Sequence, residues 1–141
     1  MPSNPELSRI LLKLSGEVLA NQDGFGIDPE KVSYLAQQIK PVHDSNVDIG
    51  LIIGAGNIFR GMQAAAGGMD RVTGDYLGML ATIMNAIALQ DSLEKIGCQT
   101  RTLSAINVTQ IAEPYIRRRA IRHMENCDNI NIIDGTLNLL K

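Results

Sequence analysis

The stretch Asp48–Ile53 (DIGLII), followed by residues 54–57 (GAGN), decides the fold of this chain. The apolar run is too short for a helix and predicts a buried strand, and the glycines after it predict a turn. A second short apolar run, Arg9–Leu14 (RILLKL), ends in the same way at Ser15 and Gly16. Glycine turns at the ends of two strands indicate a sheet edge where the backbone can approach a ligand closely.

Helix signals alternate with strand signals along the rest of the chain. Asp28 followed by Pro29 predicts a helix start, because an N-cap side chain and then a proline suit those positions. Two more helices and two more strands are predicted at residues 75–95, 114–125, 100–103 and 130–133, with Gly97 ending the long apolar helix. The alternation predicts an α/β domain with a mainly parallel sheet. Ligands of such sheets bind at the carboxyl ends of strands, which selects residues 13–16, 54–61, 104–105 and 134–138.

Composition narrows the class of protein. The chain has 141 residues, which suits one domain, and a net charge of −2 argues against an electrostatic grip on nucleic acid or an anionic membrane. We expect no apolar stretch to approach the roughly 18 residues of a membrane span. Cys98 and Cys127 lack metal-binding spacing, so we expect no metal site and a reduced, cytoplasmic protein.

Residues 54–61 (GAGNIFRG) combine glycines with Arg60, and a phosphate site needs both accessible N–H groups and cations. The pattern is not a Walker loop, because no lysine followed by serine or threonine comes after its last glycine. It is not a dinucleotide fingerprint either, since the glycine after Gly56 comes five residues later. A plain glycine turn between a strand and a helix remains the alternative.

Lys13 favours the phosphate interpretation. It interrupts an apolar strand just before Ser15 and Gly16, where it either lies on an exposed edge or faces an anion. Phosphoryl transfer depends on positive charge and positioning more than on a covalent catalyst. Lys13 and Arg60 supply the charge, and Gly16 and Gly56 supply close backbone approach.

Two other charged features have two interpretations each. Asp75 either caps the long helix or accepts hydrogen bonds from the hydroxyls of a ribose or base. A basic helix face is either solvated or a nucleic-acid patch, and the acidic chain with few aromatic residues favours the solvated face. Its arginines are Arg117, Arg118, Arg119 and Arg122.

Four linked motifs resemble those of the bacterial UMP kinases, a branch of the amino acid kinase superfamily. The motifs are residues 13–17 (KLSGE), 24–28 (GFGID), 54–61 (GAGNIFRG) and 74–82 (GDYLGMLAT). They follow one another in order and at matching spacing, from about Arg9 to Glu125. The resemblance implies a three-layer α/β/α sandwich around a mainly parallel sheet. It also implies an ATP-dependent transferase that converts UMP to UDP with Mg²⁺ in pyrimidine nucleotide biosynthesis.

The resemblance also implies roles for individual residues. It assigns catalysis to Lys13 and Arg60, and ATP binding to Lys13, Leu14, Ser15, Gly16, Gly56 and Arg60. It assigns UMP binding to Ala55, Asp75, Thr136, Leu137 and Asn138. Activation by GTP is assigned to Asn21, Gln22, Asp23, Gly24, Phe25 and Gly26. The family further implies inhibition by UTP and a cytoplasmic homohexamer in which the long helix packs at subunit interfaces.

The chain departs from the family pattern at its carboxyl end. Residues 135–141 (GTLNLLK) stand where the family has a second UMP-binding loop, and Leu137 replaces a glycine that lets the backbone approach. Ala55 also replaces a usual glycine. We therefore expect residues 1–141 to be the amino-terminal part of one domain with a divergent end at 126–141. We also expect impaired activity, bare sheet edges, and poor order after Glu125.

Two alternatives to a UMP kinase remain open. One is a non-catalytic fragment that binds nucleotide or joins hexamers through the long helix. The other is a different amino acid kinase, such as an aspartate or glutamate kinase. Residues 59–61 (FRG) and 75–80 (DYLGML) favour the UMP branch over the latter.

Overall fold

Five parallel strands form one sheet in the computed structural model, which describes residues 8–59, 67–127 and 130–134. The strands are β1 (Arg9–Leu14), β2 (Asp48–Ile53), β3 (Thr100–Ser104), β4 (Glu113–Pro114) and β5 (Ile130–Asp134). The helices are α1 (Pro29–Asp44), α2 (Arg71–Lys95) and α3 (Arg117–Cys127), and a 3-10 turn covers Gly16–Leu19. The predicted alternation of strands and helices is confirmed. The 3-10 turn and β4 were not predicted, because neither is long enough to show a periodic pattern.

The strands are arranged in the order β1-β2-β5-β3-β4, so β5 lies at the centre of the sheet. Ile133 pairs with Ile52 of β2 on one side and with Leu103 of β3 on the other. Ile130 and Ile132 are fully buried. The expectation of poor order after Glu125 is therefore wrong for β5, because this strand is paired along both edges and its side chains lie in the core.

Helix α1 begins where the sequence predicts. The Asp28 carboxylate accepts a hydrogen bond from the backbone N–H of Glu30 (2.9 Å), and Pro29 occupies the first helical position. Asp28 thus gives a partner to one of the N–H groups that lack one at a helix start. Pro29 has no N–H to satisfy and already has a helical φ angle. Val32, Ala36 and Ile39 then face the core at helical spacing.

Helices cover both faces of the sheet, which gives the three layers that the resemblance implies. Residues of α1 and α2 pack on one face, against alternate residues of β2 and β5. This larger core contains Val32, Ala36, Ile39, Ile49, Leu51, Ile53, Ala86, Leu89, Leu93, Ile130 and Ile132. A smaller cluster on the other face joins Ala120 of α3 to Leu103 and Ile133, with Ile52 and Tyr115 packed against it.

The β1 edge of the sheet is partly uncovered. Leu11 is 64% exposed although it lies in the middle of its strand, and Lys13 on the same face is also exposed. Their register partners in β2 are Gly50 and Ile52. The expected bare edge is thus present at β1 among the described residues.

Helix α2 begins earlier than the sequence predicts. Asp70 is its N-cap and Arg71 its first residue, so the prediction that Asp75 caps the helix is wrong and Asp75 lies in the second turn. The helix ends at Lys95, and Gly97 follows with a φ of 89°, as a C-terminal glycine should. Helical conformation passes through Gly74 because packing against the ring of Phe59 overrides the low helix propensity of glycine.

Two surfaces of α2 differ in their surroundings. Ala86, Leu89 and Leu93 are buried in the core, whereas Val72, Tyr76, Leu80 and Met84 form an exposed apolar row, the α2 stripe. By length and composition α2 could cross a membrane, and 33% of its most apolar window is buried. The expectation that no stretch would reach that length is therefore wrong. A core helix of a soluble protein meets the same criterion, so the membrane interpretation gains little.

Candidate functional site

A cleft of about 520 Å³ opens at the carboxyl ends of β1 and β2, beside the first turns of α2. Three elements supply its walls because parallel strands end at the same edge of the sheet. The lining residues are Lys13, Leu14, Ser15, Ile52, Ile53, Gly54, Ala55, Phe59, Gly74, Asp75, Gly78 and Thr82. Two of the four strand ends selected from sequence thus line one cleft. They are residues 13–16 and the described part of residues 54–61.

The floor of the cleft is formed by two turns in close contact, the β1 turn (residues 15–16) and the β2 turn (residues 54–57). A side-chain carbon placed on Gly16 would lie 2.7 Å from the carbonyl oxygen of Gly54 and 2.9 Å from the backbone nitrogen of Gly56. It would also overlap the side-chain oxygen of Asn57. Only glycine at position 16 allows the two turns to approach this closely.

The β2 turn offers backbone donors. Gly54 N–H donates to the carbonyl oxygen of Leu14 (2.9 Å), which joins this turn to the end of β1. The N–H groups of Ala55, Gly56 and Asn57 have no protein acceptor among residues 8–59, 67–127 and 130–134. Ala55 lines the cleft, so the unpaired N–H groups at the start of this turn can bind an anion such as a phosphate.

A buried pair of amides fixes the β2 turn in place. Asn57 and Asn85 are both fully buried, and each side-chain NH₂ donates to the side-chain oxygen of the other (3.0 and 2.8 Å). The second hydrogen of Asn85 binds the carbonyl oxygen of Gly54 (2.7 Å), and that of Asn57 binds the carbonyl oxygen of Gly26 (2.8 Å). Sequence reasoning missed Asn85, although a polar residue on the buried side of an apolar helix was an available signal.

The β1 end places the expected ATP residues together. Lys13 is exposed and lines the cleft, and Leu14 packs against the larger core. The hydroxyl of Ser15 accepts from the N–H of Glu17 (3.3 Å) and caps the 3-10 turn. Gly16 contacts the β2 turn, where Gly56 lies. Arg60, the other expected catalytic residue, lies outside the described residues.

The opposite wall comes from α2. Asp75 is exposed and lines the same cleft as Ala55 of the floor, so two of the expected UMP contacts face one cleft. The ring of Phe59 lies over the glycine face of the helix, because carbons placed on Gly74 and Gly78 would lie 3.5 and 3.9 Å from it. Thr136, Leu137 and Asn138, the other expected UMP contacts, lie outside the described residues.

The segment expected to respond to GTP, residues 21–26, is attached to the floor of the cleft. Gly24 and Gly26 have φ angles of 77° and 81°, a conformation that favours glycine. Asn21 closes the loop by accepting from the N–H groups of Asp23 (3.2 Å) and Gly24 (2.9 Å). Gly26 N–H donates to the carbonyl oxygen of Asn57 (2.8 Å), which in turn binds Gly26 through its side chain.

The described donors of the cleft suit an anion. Within the described part of the chain, no group of three or more His, Cys, Asp or Glu side chains is placed to hold a metal ion. Asp75 is the carboxylate among the lining residues. The donors at the cleft are N–H groups and the Lys13 ammonium, which suit a phosphate better than a cation.

Comparisons with known proteins agree with this geometry. The profile of the amino acid kinase family matches residues 8–139. Over 134 residues, which are 95% of this chain and 56% of the relative, the sequence is 52% identical to the uridylate kinase of Dichelobacter nodosus (strain VCS1703A). The chain thus spans about half the length of this curated relative.

Solved structures of UMP kinases superimpose on the chain. The enzyme from Bacillus anthracis matches with a TM-score of 0.84 and 37% identity, over 93% of this chain and 54% of that one. The enzyme from Ureaplasma parvum matches with a TM-score of 0.81 and 32% identity, over 91% and 56%. An aspartate kinase from Synechocystis, at 14% identity and a TM-score of 0.62 over 89% of this chain and 21% of that one, shares the fold alone.

Proposed function

We propose, from the premise that this chain belongs to the amino acid kinase family, that it supplies the phosphate-binding part of an enzyme transferring a phosphoryl group from ATP to UMP. The observation that carries the proposal is the contact between the β1 and β2 turns, which places Lys13 and the N–H of Ala55, unpaired within the described residues, beside one cleft. The 52% identity to a uridylate kinase selects the branch of the family. The chain is then the amino-terminal part of one kinase domain, with its divergent end at residues 126–141.

The ATP side of the site is the β1 edge. Lys13 brings positive charge to the transferred phosphoryl group, and the N–H of Gly56 in the β2 turn holds a phosphate oxygen in place. Arg60 adds a second cation by resemblance. Mg²⁺ would enter with ATP and would supply further positive charge at the phosphates; within the described residues, no group of three or more His, Cys, Asp or Glu side chains is placed to hold it.

The UMP side of the site is the α2 wall. Asp75 accepts hydrogen bonds from the nucleoside, and Ala55 lies where the UMP phosphate approaches the β2 turn. Thr136, Leu137 and Asn138 complete the UMP contacts. Because Ala55 and Leu137 each add a side chain where the family has glycine, we expect weaker UMP binding than in the relatives.

Regulation and assembly follow the family in this proposal. GTP activates through residues 21–26, and the two hydrogen bonds between Gly26 and Asn57 support a connection from that loop to the cleft. UTP inhibits, and the α2 stripe forms a subunit interface of a cytoplasmic homohexamer. The exposure of Tyr76, Leu80 and Met84 supports that interface. The same stripe favours the second candidate function, a non-catalytic fragment that joins kinase hexamers.

The proposal is tested by measuring ATP binding and UDP formation with the 141-residue chain. We expect binding of Mg·ATP and slow turnover, because the chain spans about half of its relatives and positioning of both substrates is most of this catalysis. Lys13→Gln should weaken ATP binding on the order of tenfold, the effect of losing one charge-assisted hydrogen bond.

The control for Lys13→Gln is Lys31→Gln, because Lys31 is an exposed lysine on α1 that does not line the cleft. Equal ATP affinity of the two variants would reject the assignment of Lys13. Phosphorylation of aspartate or glutamate in preference to UMP would move the chain to another branch of the family. ATP binding without any UDP formation, together with co-elution with an intact UMP kinase, would favour the non-catalytic candidate.

A further inference from the structure

We propose that Asn57 and Asn85 are positioning residues that hold the β2 turn in its phosphate-binding conformation by withdrawing its carbonyl oxygens from the cleft. The inference deepens the proposed function and rests on it. Asn57 lies in the turn itself, and Asn85 lies 28 residues further along the chain, on α2. The family resemblance assigns neither residue a role.

The two side chains satisfy each other completely. Four N–H hydrogens on the two amides make four hydrogen bonds of 2.7–3.0 Å, two within the pair and two to backbone carbonyls. Both residues are fully buried, so water does not compete for these groups. Buried amide networks with every donor paired hold a single geometry, because any rearrangement leaves a desolvated polar group without a partner.

The carbonyl oxygens of the β2 turn point into the protein. Three of its four carbonyl oxygens accept hydrogen bonds from other protein groups. Asn85 donates to one of these oxygens, and another belongs to Asn57. Gly54 oxygen accepts from the side chain of Asn85 (2.7 Å), Ala55 oxygen accepts from the N–H groups of Ile58 (3.0 Å) and Phe59 (2.9 Å), and Asn57 oxygen accepts from Gly26 N–H (2.8 Å).

This arrangement decides what the turn can bind. A trans peptide unit points its C=O and the N–H of the following residue in opposite directions, so the inward-bound oxygens of Gly54 and Ala55 leave the N–H groups of Ala55 and Gly56 on the other side. Neither of these two N–H groups has a protein acceptor within residues 8–59, 67–127 and 130–134, and Ala55 lines the cleft. If the oxygen of Gly54 faced the cleft instead, its partial negative charge would repel a phosphate.

Aspartate at position 85 tests this dependence with almost no change in shape. Asn85→Asp keeps the side-chain volume, but it replaces the two NH₂ donors by an oxygen that cannot donate. The carbonyl oxygen of Gly54 and the side-chain oxygen of Asn57 then both face an acceptor, so we expect the turn to rotate and its N–H groups to leave the cleft.

The matched control is Asn131→Asp. Asn131 is also fully buried, and its NH₂ donates to the carbonyl oxygen of Ala120 (2.9 Å) on the α3 side of the sheet. It does not line the cleft. Both substitutions place a carboxylate against a backbone carbonyl, so both should lower stability. Only the one on α2 should disturb the β2 turn.

The experiment compares the affinity of inorganic tripolyphosphate for the 141-residue chain and for the two variants, by calorimetry, with unfolding midpoints measured in parallel. We expect Asn85→Asp to weaken binding at least tenfold and Asn131→Asp to change it less than twofold, with both midpoints lowered. If Asn85→Asp does not fold, Asn85→Ser replaces it, because a hydroxyl keeps one donor, and an intermediate loss of affinity is expected.

Equal affinity of the wild-type chain and the α2 variant would overturn the inference and leave the proposed function intact. An equal loss in both aspartate variants would also overturn it, because the effect would then follow from lowered stability alone. Tripolyphosphate binding that depends on Asn85, in a chain that does not use UMP, would reject the proposed function and keep the inference. Absence of tripolyphosphate binding in the wild-type chain would reject both.

Discussion

Gly16 shows what one absent side chain contributes to the cleft. The two turns of the floor touch across it, and a methyl group there would lie 2.7 Å from a backbone oxygen and 2.9 Å from a backbone nitrogen. Neither neighbour can rotate away as a flexible side chain would. The sequence identified Gly16 as a strand-end glycine, but the group that it contacts is visible only in three dimensions.

Gly16→Ala should therefore lower both stability and nucleotide binding. We expect a loss of about 1–3 kcal/mol in the free energy of unfolding, because the backbone has to move to relieve the overlap. Urea denaturation measures the first effect and calorimetry with Mg·ATP the second. Gly67→Ala is the control, since a carbon added there has no atom within 4 Å, and its effect should stay within about 0.5 kcal/mol. A Gly16→Ala chain as stable as the control would contradict the contact.

Cys98 is a second residue whose surroundings decide its chemistry. Its side chain is 1% exposed, and burial raises the pKa of its thiol. The raised pKa means that deprotonation favours the unfolded chain, so this contribution to stability is lost as the pH rises above the ordinary thiol value of about 8.5.

In a Cys127→Ser chain, the remaining thiol should react slowly with a thiol reagent at pH 8. We expect the native rate to be on the order of a hundredfold below that of the urea-unfolded chain. The ratio of the unfolded rate to the native rate should decrease as the pH passes the ordinary thiol pKa, because the unfolded thiol is then largely ionised while the native thiolate fraction is still rising. Equal rates in the native and unfolded chains would show that position 98 is open to solvent.

At the scale of elements, the sequence predicted each strand and helix that is long enough to show a pattern. The predicted start of α2 was wrong because the sequence Thr73, Gly74 and Asp75 is typical of a helix boundary. Packing of Phe59 against Gly74 instead lets the helix continue through this glycine. The pairing of Asn57 with Asn85 was not predictable, because a single sequence does not show which polar residues meet across 28 positions.

The α2 stripe gives a prediction at this scale. Leu80 is 47% exposed, so Leu80→Glu should change the free energy of unfolding by less than about 0.5 kcal/mol. If the stripe is a subunit interface, the same change should reduce self-association, because it places a charge in an apolar contact. Sedimentation velocity at several concentrations measures this. Arg71→Glu is a control for charge on an exposed position of the same helix outside the stripe, and equal association of both variants would reject the interface.

At the scale of the whole molecule, the order of the strands distributes stability unevenly. β5 lies at the centre and β1 at an edge. Alternation of strands and helices predicted parallel strands, yet it could not predict their order, because order depends on which crossovers pass over which strands.

Ile132→Ala should consequently destabilise the chain far more than Leu11→Ala. Ile132 is fully buried in the larger core, so we expect a cost of about 2–5 kcal/mol. Leu11 is 64% exposed, so Leu11→Ala should lower the free energy of unfolding by less than about 1 kcal/mol. Urea denaturation of both variants checks the difference, and similar costs would contradict the central position of β5.

The central position of β5 also has a consequence for how the chain acquires its fold during synthesis. Of the described strands, β5 leaves the ribosome last, yet β2 and β3 do not pair with each other and are joined within the sheet through it. The nascent chain therefore holds two separate groups of strands until residues 130–134 emerge, and closing the gap joins residues as far apart as Gly50 and Asn131. Such distant pairings make folding slow, so a chaperone that shields the exposed edges of β2 and β3 would act in that interval.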